Sequence, residues 1–379
     1  MRIGFYAPLK PPDHPAPSGD RRIARLFMDA MRGMGHDVDL LSTLRSYNRD
    51  GNPEREAETA ALAAAEVARL STLWQQTPAL KPDLLFTYHV YHKAADYIGP
   101  ALKQQFGLPY AIAEASHSPA RRTGIWAAGY AQALQALTMA DALLAITNHD
   151  LPGLAACTDP TKISLFPPFL DPAPFLEAAA RRTAHRERLT SLFGLPADRP
   201  WLLAVGMMRA GDKQASFERL AETLLLARDA DWHAILVGGG PELARIEAAF
   251  APLRGRVTMT GQLEADALAA LYAACDLYVW PAVNEAYGMA LLEAQAAGLP
   301  VLSVDTRGVP DIVRHLQTGW LTADDAPATL AVALQQALAD TPRRRVMAEA
   351  ALQRVQRELS LTAAQHRLDR LFRHLGLPA

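Results

Sequence analysis

The feature that most constrains the fold of this chain is a repeated alternation of short apolar runs with longer, Ala-rich segments of helical period. It continues through both halves of the sequence. Such alternation is typical of a parallel β-sheet covered by helices, because consecutive parallel strands need a crossover that a helix supplies. With 379 residues, the chain is long enough for about two domains of similar size. We therefore predict an α/β protein with two doubly wound domains.

The apolar runs give the positions of the strands. In the first half we predict strands at 2–7, 37–41, 84–88, 110–114 and 142–146, with helices at 21–34 and 54–73. In the second half we predict strands at 201–205, 233–237, 257–260, 277–280, 301–304 and 320–322. The remaining sequence, after residue 340, is helical in pattern and rich in arginine.

Changes in composition suggest the domain boundaries. Prolines punctuate the chain near residue 170, and an Arg-rich piece follows. We predict a first domain at 1–170, an interdomain connection at 171–200, a second domain at 201–355 and a last helix at 356–379. The carboxyl ends of the strands in both domains would face a cleft, where doubly wound proteins bind their ligands.

Charge and cysteine content exclude several classes of protein. Lys plus Arg is 38 and Asp plus Glu is 40, for a formal net charge of -2, so there is no electrostatic case for a nucleic-acid partner. The two cysteines, Cys157 and Cys275, are far apart, which argues against a disulfide framework or a zinc site. No apolar run reaches the ~18 residues that span a bilayer. We expect a cytoplasmic protein.

The most informative segment is NEAYGMALLEAQAAGLPV, which begins at Asn284. It follows a predicted strand and opens a helix near Gly288. Glu285 thus stands just outside the helix N-terminus, and Glu293 lies about two turns further on. The unpaired amides of Gly288, Met289 and Ala290, together with the helix dipole, can hold a phosphate group.

Two loops at strand ends in the second half carry further candidates. Arg209 and Lys213 follow the strand at 201–205, where fixed cations would stabilise a phosphate leaving group. Gly238 and Gly240 lie in a glycine-rich turn between a strand and a helix. That turn lacks the spacing of a dinucleotide-binding fingerprint, so a tight strand-to-helix connection is an alternative explanation.

The two glutamates and the glycine between them closely resemble the signature of family 4 (group 1) glycosyltransferases, retaining enzymes of the GT-B fold with two Rossmann-like domains that face a central cleft. The resemblance implies that Glu285 lies at the donor sugar and that Glu293 binds the ribose hydroxyls of the nucleotide. It also implies that the amides between them contact the diphosphate. Arg209 and Lys213 look like the phosphate clamp of the family, although Met207 stands where the family pattern has its arginine.

Other positions resemble the family more loosely. Gly238 and Gly240 match a loop that approaches the nucleotide, and the base would be bound near Gln262 and Leu263. His117, after a first-half strand, matches a histidine near the donor sugar and the reacting centre. A hydrogen-bonded structural histidine is the alternative. The loop that ends in Ser18-Gly19-Asp20 resembles the acceptor loop, with Gly19 as its glycine.

The function that the resemblance implies is transfer of a hexosyl or N-acetylhexosaminyl group from a nucleotide-diphosphate sugar to an acceptor hydroxyl. The acceptor would be a glycan, a lipid-linked sugar or a small molecule. The donor would sit on the second domain and the acceptor on the first, against which the last helix would pack. We expect no cofactor beyond the nucleotide sugar as co-substrate, and no metal. A non-catalytic sugar-nucleotide-binding or partner subunit, or a sugar-nucleotide epimerase or hydrolase, remains an alternative.

Two side hypotheses concern metal and membrane. The Asp-x-Asp triplets at 37–39 and 229–231 could bind a metal-coordinated diphosphate. The first, however, stands at the start of a predicted strand and the second in the loop before one, and neither is at the carboxyl end where the cleft lies. The first helix carries arginines beside apolar residues, which would suit peripheral contact with the anionic inner face of a membrane. The simpler interpretation is that its apolar residues face the core and the arginines face water. These arginines are Arg21, Arg22, Arg25 and Arg32.

Overall fold

The computed structural model describes residues 1–15 and 18–378, and it divides into two compact units. Unit 1 comprises Met1–Pro167 and Leu361–Ala379, and unit 2 comprises Pro168–Ser360. Each unit contains a six-stranded sheet in which all paired strands are parallel. The α/β class and the Rossmann-like architecture predicted from the sequence are therefore confirmed.

The strands of unit 1 are β1 (Arg2–Tyr6), β2 (Asp37–Leu40), β3 (Leu84–Val90), β4 (Tyr110–Ala115), β5 (Ala142–Ala145) and β6 (Ile163–Leu165). Its helices are α1 (Gly19–Gly33), α2 (Pro53–Gln76), α3 (Gly99–Phe106), α4 (Ala127–Met139), α5 (Leu151–Ala155) and, from the end of the chain, α15 (Leu361–His374). The sheet order is β2-β1-β3-β4-β5-β6. The chain therefore reverses its direction of travel across the sheet between β1 and β3.

The strands of unit 2 are β7 (Trp201–Val205), β8 (His233–Val237), β9 (Val257–Gly261), β10 (Leu277–Val279), β11 (Val301–Val304) and β12 (Gly319–Thr322). Its helices are α6 (Ala173–Ala180), α7 (Arg182–Phe193), α8 (Asp212–Leu226), α9 (Leu243–Phe250), α10 (Ala265–Ala274), α11 (Met289–Ala296), α12 (Val309–Ile312), α13 (Pro327–Ala339) and α14 (Thr341–Arg354). The sheet order is β12-β11-β10-β7-β8-β9, so the reversal falls between β7 and β10.

Local patterns predicted the strands well because most of them are buried on both faces, as in β4 and β11. All eleven predicted strands are present within two residues of their expected ends. The strand that sequence reasoning missed is β6, which has three residues and no fully buried side chain. It pairs with β5 through its backbone, and such a short edge strand has no apolar pattern to detect.

The segment at 171–200, interpreted from the sequence as a connection, instead forms α6 and α7 within unit 2. Its arginines are bound to the end of α10. Arg182 donates to Oδ1 of Asp276 at 2.7 Å, and Arg186 donates to Oδ2 of the same carboxylate at 2.9 Å. They also donate to carbonyl groups at the carboxyl end of α10. Positive charge is favourable there because the helix dipole is negative at that end.

The last helix of the chain packs within unit 1. Gln365 in α15 donates from Nε2 to the carbonyl of Ala30 in α1 at 3.2 Å. Phe372 is fully buried and meets the ring of His36 edge to face, with ring centroids 5.4 Å apart. The apolar face of α15 thus covers α1 and the start of β2.

The arginines of α1 are used mainly inside unit 1. Arg21 donates to the carbonyl of His14 at 2.8 Å, and Arg25 donates to that of Pro12 at 2.6 Å. Arg32 donates to the carbonyl of Val38 at 2.9 Å. These bonds hold Pro12, His14 and the start of β2 against α1, so the three arginines make contacts within unit 1. None of the helices described has both the length and the apolar character needed to cross a membrane.

Candidate functional site

The site in unit 2 lies where its sheet changes direction. Strands β7 and β10 are neighbours on the two sides of the reversal. They run parallel, so their carboxyl ends lie at the same edge of the sheet. The loop after β7 carries Arg209 and leads to Lys213 in the first turn of α8, and the loop after β10 carries Glu285. In open parallel sheets, ligands bind outside the carboxyl ends of the strands at such a reversal. Topology therefore brings together two loops that are distant in sequence.

Lys213 and Glu285 form an ion pair at this edge. The Lys213 Nζ lies 2.5 Å from Oε2 of Glu285, and the exposed fractions of the two side chains are 24% and 12%. The indole N–H of Trp280 donates to the same oxygen at 3.1 Å. The Lys213 Nζ also lies 5.2 Å from the centroid of the Trp280 ring. The structure thus places two predicted catalytic residues in direct contact, in a setting that sequence reasoning did not foresee.

The loop that carries Glu285 is tied to the first turns of α8. The Val283 N–H donates to Oγ of Ser216 at 3.1 Å, and the Asn284 side chain donates to Asp212 at 3.0 Å. Ala282 and Asn284 both have left-handed backbone conformations, with φ of 54° and 52°. Left-handed non-glycine residues cost energy and persist where the surroundings hold them. The loop directly before Glu285 is therefore held against α8, which fixes the place of Glu285 in the chain.

The N-terminus of α11 offers free backbone amides next to Glu285. Gly288 precedes the helix with a φ of 69°, and a Cβ there would lie 2.9 Å from Cδ1 of Leu291, so both backbone and space favour glycine. The first N–H of the helix with a backbone acceptor is that of Leu291, which donates to Gly288. In the part of the chain that the structure describes, the N–H groups of Gly288, Met289 and Ala290 have no acceptor. This is the geometry that binds phosphate.

Glu293 points into the protein and is only 4% exposed. The hydroxyl of Tyr272, which is fully buried, donates to its Oε2 at 2.8 Å. One carboxylate oxygen is thus held by α10, a contact that the sequence did not reveal. Binding of ribose by Glu293 stays a prediction.

The glycine turn after β8 is explained by backbone packing. A Cβ on Gly238 would lie 1.9 Å from the carbonyl oxygen of Gly206, and one on Gly240 would lie 2.3 Å from that of Met208. Both glycines have φ near 150°, at 145° and 152°. The Met208 N–H donates to the carbonyl of Gly239 at 3.0 Å. Gly238 and Gly240 are therefore needed for the close approach of two loops, whatever they do for a nucleotide.

Three other predicted residues of unit 2 lie at the surface near these loops. Gln262 is exposed beside Gly239, whose added Cβ would lie 3.3 Å from Cγ of Gln262, and Leu263 is half-buried. The Arg209 side chain is exposed and makes no hydrogen bond or ion pair with the residues described, whereas Lys213 is bound to Glu285. The structure thus joins Lys213, but not Arg209, to the glutamate.

His117 in unit 1 has both ring nitrogens occupied. Its Nδ1 lies 2.9 Å from the carbonyl of Gly153, so this nitrogen carries the proton and donates. Its Nε2 lies 2.9 Å from the hydroxyl of Tyr130 and accepts from it. These contacts are those of a structural histidine, the alternative named above. A role for His117 at the reacting centre stays a prediction without support from this geometry.

Unit 1 contains a charged cluster that sequence reasoning missed. His89 Nδ1 lies 3.1 Å from Oδ1 of Asp20 and 3.3 Å from Oε1 of Glu114. His89 belongs to β3, Glu114 to β4 and Asp20 to the start of α1. The three side chains are partly exposed, at 18%, 32% and 14% for His89, Asp20 and Glu114. We call these three residues the unit 1 cluster.

The cluster lies beside the reversal point of its own sheet, where β3 neighbours β1 and β4. His89 and Glu114 have left-handed backbones, with φ of 64° and 54°. They hold equivalent places in the paired strands, since Tyr88 pairs with Ala113 and Val90 with Ala115. The only sequence signal was a polar residue near the end of each apolar run, and that is too common to single these residues out.

Charges within the cluster shift the pKa values of its members. Burial alone would lower the pKa of His89, but the nearby Glu114 and Asp20 outweigh it and raise this pKa to about 9. Burial raises the pKa of Glu114 to about 7, against the opposing effect of His89. The pKa of Asp20 is lowered, because its hydrogen bond and attraction to His89 outweigh burial.

The geometry of the cluster also allows a metal ion, because its ligand atoms lie within 4.8 Å of one another. It is the only such group among residues 1–15 and 18–378. Neither Asp-x-Asp triplet belongs to it. Asp37 and Asp39 lie in β2, where Asp39 pairs with Arg2, and Asp229 and Asp231 precede β8.

Comparison with known proteins shows which family and which folds this chain resembles. Residues 192–354 match the family model described as Glycosyl transferases group 1. Alpha-D-kanosaminyltransferase from Streptomyces kanamyceticus is 30% identical over 203 residues, which cover 53% of this chain and 51% of that protein. The chain therefore matches about half the length of this curated relative.

Solved structures match nearly the whole chain. Sucrose-phosphate synthase from Thermosynechococcus elongatus has a TM-score of 0.76 at 22% identity, with 99% of each chain covered. The Anabaena protein HepE, solved in complex with UDP, has a TM-score of 0.74 at 16% identity, with 99% of this chain and all of that chain covered. At these identities the likeness shows the fold, which is the GT-B fold of two Rossmann-like domains. The chain thus has this fold, and its residues 192–354 match the family model of the group 1 glycosyl transferases.

Proposed function

We propose that this chain is a retaining glycosyltransferase of family 4 that transfers a hexosyl or N-acetylhexosaminyl group from a nucleotide-diphosphate sugar to an acceptor hydroxyl. The observation that carries the proposal is the Lys213–Glu285 pair beside the free amides at the N-terminus of α11. A lysine and a helix N-terminus attract the diphosphate, and a carboxylate next to them is placed to orient the sugar. The family match of residues 192–354 and the solved UDP complex of the similar HepE support the choice of donor.

In the proposed reaction, the bond between the sugar C1 and the diphosphate oxygen breaks, and its electron pair goes to that oxygen. The acceptor oxygen attacks C1 from the same face, and its proton passes to the departing phosphate. The amides at 288–290 and Lys213 stabilise the negative charge that develops there. Glu285 orients the sugar, and Glu293 binds the ribose. With these groups neutralising the diphosphate, no metal is required.

We propose that the acceptor, a glycan, a lipid-linked sugar or a small molecule, is bound by unit 1. The unit 1 cluster supports this choice, because carboxylates and a histidine at a sheet reversal are suited to hydrogen-bond sugar hydroxyls. Gly19 directly precedes Asp20 of that cluster in the chain, so the acceptor loop inferred from the sequence leads into it. His117 and Arg209 remain further candidates.

A binding and turnover panel tests the proposal. The chain is titrated with UDP, GDP, ADP and their common sugar conjugates, in magnesium and in EDTA, by calorimetry and thermal shift. We expect saturable binding of one nucleotide that EDTA leaves unchanged. The anomeric configuration of the product, read by NMR, tests retention. Binding without any sugar transfer or hydrolysis would favour the non-catalytic alternative, and an absolute need for metal would contradict the proposed charge balance.

A further inference from the structure

Three tryptophans in unit 2 lie against a cation, and one of the three differs from the others in its hydrogen bond. Trp201 lies under Arg186, with the guanidinium carbon 4.0 Å from the ring centroid, and donates its N–H to the carbonyl of Pro196 at 2.7 Å. Trp232 lies under Arg256 at 3.9 Å and donates to the carbonyl of Ala227 at 2.8 Å. Both use the indole N–H to satisfy the backbone of their own unit. These two tryptophans are structural.

Trp280 also lies under a cation, Lys213, but its N–H donates to the carboxylate of Glu285. It directly follows β10 and is 2% exposed. Its ring meets Phe217 edge to face at 5.0 Å. The Gly206 backbone also covers it, since a Cβ added there would lie 3.2 Å from Trp280 Cη2. The indole therefore cannot shift without moving the core of unit 2, and its N–H is a fixed donor.

The contrast between the two donors to Glu285 matters for the reaction. Lys213 and Trp280 share one oxygen, Oε2, and in the part of the chain described here Oε1 has no hydrogen-bond partner. A lysine side chain is flexible and strongly attracted to phosphate, whereas a buried indole is rigid. Once Lys213 turns toward a diphosphate, the Trp280 N–H is the donor that still holds Oε2.

We propose that Trp280 is the positioning residue of the donor-sugar site: its N–H holds Glu285 in place, and its ring supports the Lys213 ammonium. The proposal rests on the proposed function. It predicts that the indole N–H matters for turnover and little for nucleotide binding, because the diphosphate is bound by Lys213 and the amides of α11. Because the hydrogen bond is made to a charged group, we expect its removal to lower kcat about tenfold or more.

The test compares Trp280→Phe with Trp232→Phe. Each change removes one indole N–H, keeps an aromatic ring under a cation and lies in the buried core of unit 2. For Trp280→Phe we expect kcat to fall about tenfold or more, with the KM of the donor and the Kd of its nucleotide diphosphate within about threefold of the unaltered chain. For Trp232→Phe we expect kcat within about twofold.

The chemical shift of the indole N–H, measured by NMR, is a readout that a change in overall stability does not alter. In ¹⁵N-tryptophan-labelled protein, the N–H signal that disappears in Trp280→Phe should shift in Glu285→Gln, and the signal of Trp232 should stay in place. Equal kcat losses in both phenylalanine variants, or a Trp280 signal unmoved by Glu285→Gln, would overturn the positioning role alone. If the unaltered chain binds no nucleotide sugar and turns none over, the proposed function fails, and the positioning role with it.

Discussion

The two units carry charged groups at equivalent places in similar sheets, but the balance of charge differs. In unit 2 the reversal between β7 and β10 has a lysine, a glutamate and the positive end of α11. In unit 1 the reversal between β1 and β3 has two carboxylates around a histidine. A lysine beside free amides suits an anion, whereas a cluster with excess carboxylate repels one. The comparison therefore favours unit 2 over unit 1 as the proposed diphosphate site.

The largest effect is expected from breaking the ion pair of unit 2. Lys213→Ala and Glu285→Ala should each lower sugar transfer by about a hundredfold to a thousandfold, because each removes a preorganised group that acts in the transition state. Initial rates with the donor identified by the binding panel measure the effect. Glu218→Ala, which removes another ion pair of unit 2 with Arg245 at 2.8 Å, is the matched control. Near-normal transfer by either site variant would remove the role proposed for it.

A smaller effect, on binding, is expected at Glu293. In Glu293→Gln the amide oxygen can keep the bond from Tyr272, but the other carboxylate oxygen, the proposed acceptor for the ribose hydroxyls, is replaced by an amide nitrogen that can only donate. We expect the Kd of the nucleotide to rise about tenfold, with kcat less affected. Calorimetry measures this, and exposed Glu222→Gln in the same unit is the control. Unchanged affinity would contradict the ribose contact proposed for Glu293.

The unit 1 cluster should make the stability of the chain depend on pH. His89 has a pKa of about 9 when folded and about 6.5 when unfolded. Between these values the folded chain keeps a proton that the unfolded chain has lost. The stabilising contribution of His89 is therefore complete below pH 6.5 and disappears as the pH rises through 9. Glu114, with its pKa raised to about 7, changes stability in the same direction between pH 4.5 and 7.

His89→Gln tests this dependence by urea unfolding. We expect it to destabilise the chain by a few kcal/mol at pH 6.5 and by much less at pH 9.5. The exposed His149→Gln serves as the control at both pH values. A loss that is the same at pH 6.5 and 9.5 would show that His89 contributes packing and not charge.

The smallest effect is expected at Gly19. Among residues 1–15 and 18–378, no atom lies within 4 Å of a Cβ added there, and Gly19 is not among the residues with positive φ. Gly19→Ala should therefore change the free energy of unfolding by less than about 0.5 kcal/mol. Any loss of transfer in this variant would then report on acceptor contact and not on folding. Gly240→Ala, with a Cβ 2.3 Å from a carbonyl, is the contrasting variant and should unfold far more easily.

Much of the fold could be predicted because it depends on local patterns. The apolar runs of β4, β7 and β11 are buried on nearly every residue, and such runs are visible in any window of the sequence. The weak strand β6 and the helices α6 and α7 were missed for the opposite reason. Their place in the fold depends on partners elsewhere, such as the Asp276 carboxylate that binds Arg182 and Arg186.

The candidate site divides in the same way. The two glutamates, Gly288 and the amides that follow belong to one continuous segment, so their spacing on a helix could be read directly. The contacts of the Glu285 side chain could not be predicted from the sequence. Lys213 is 72 positions away, and Trp280 meets the carboxylate only because of the shape of the loop. Nor could the sequence show that both nitrogens of His117 are occupied, since Tyr130 and Gly153 lie on other elements.

The sequence by itself determined the α/β class, eleven of the twelve strands described, and a helix N-terminus with one glutamate before it and another inside the helix, since each follows from residues that are neighbours in the chain. Tertiary structure alone decided which charges meet. Asp20 and His89 are 69 positions apart and come together because β3 lies beside β1, and Lys213 reaches Glu285 because β10 lies beside β7. Strand order depends on the packing of the whole sheet, and side-chain contacts across it are therefore not encoded in any local pattern.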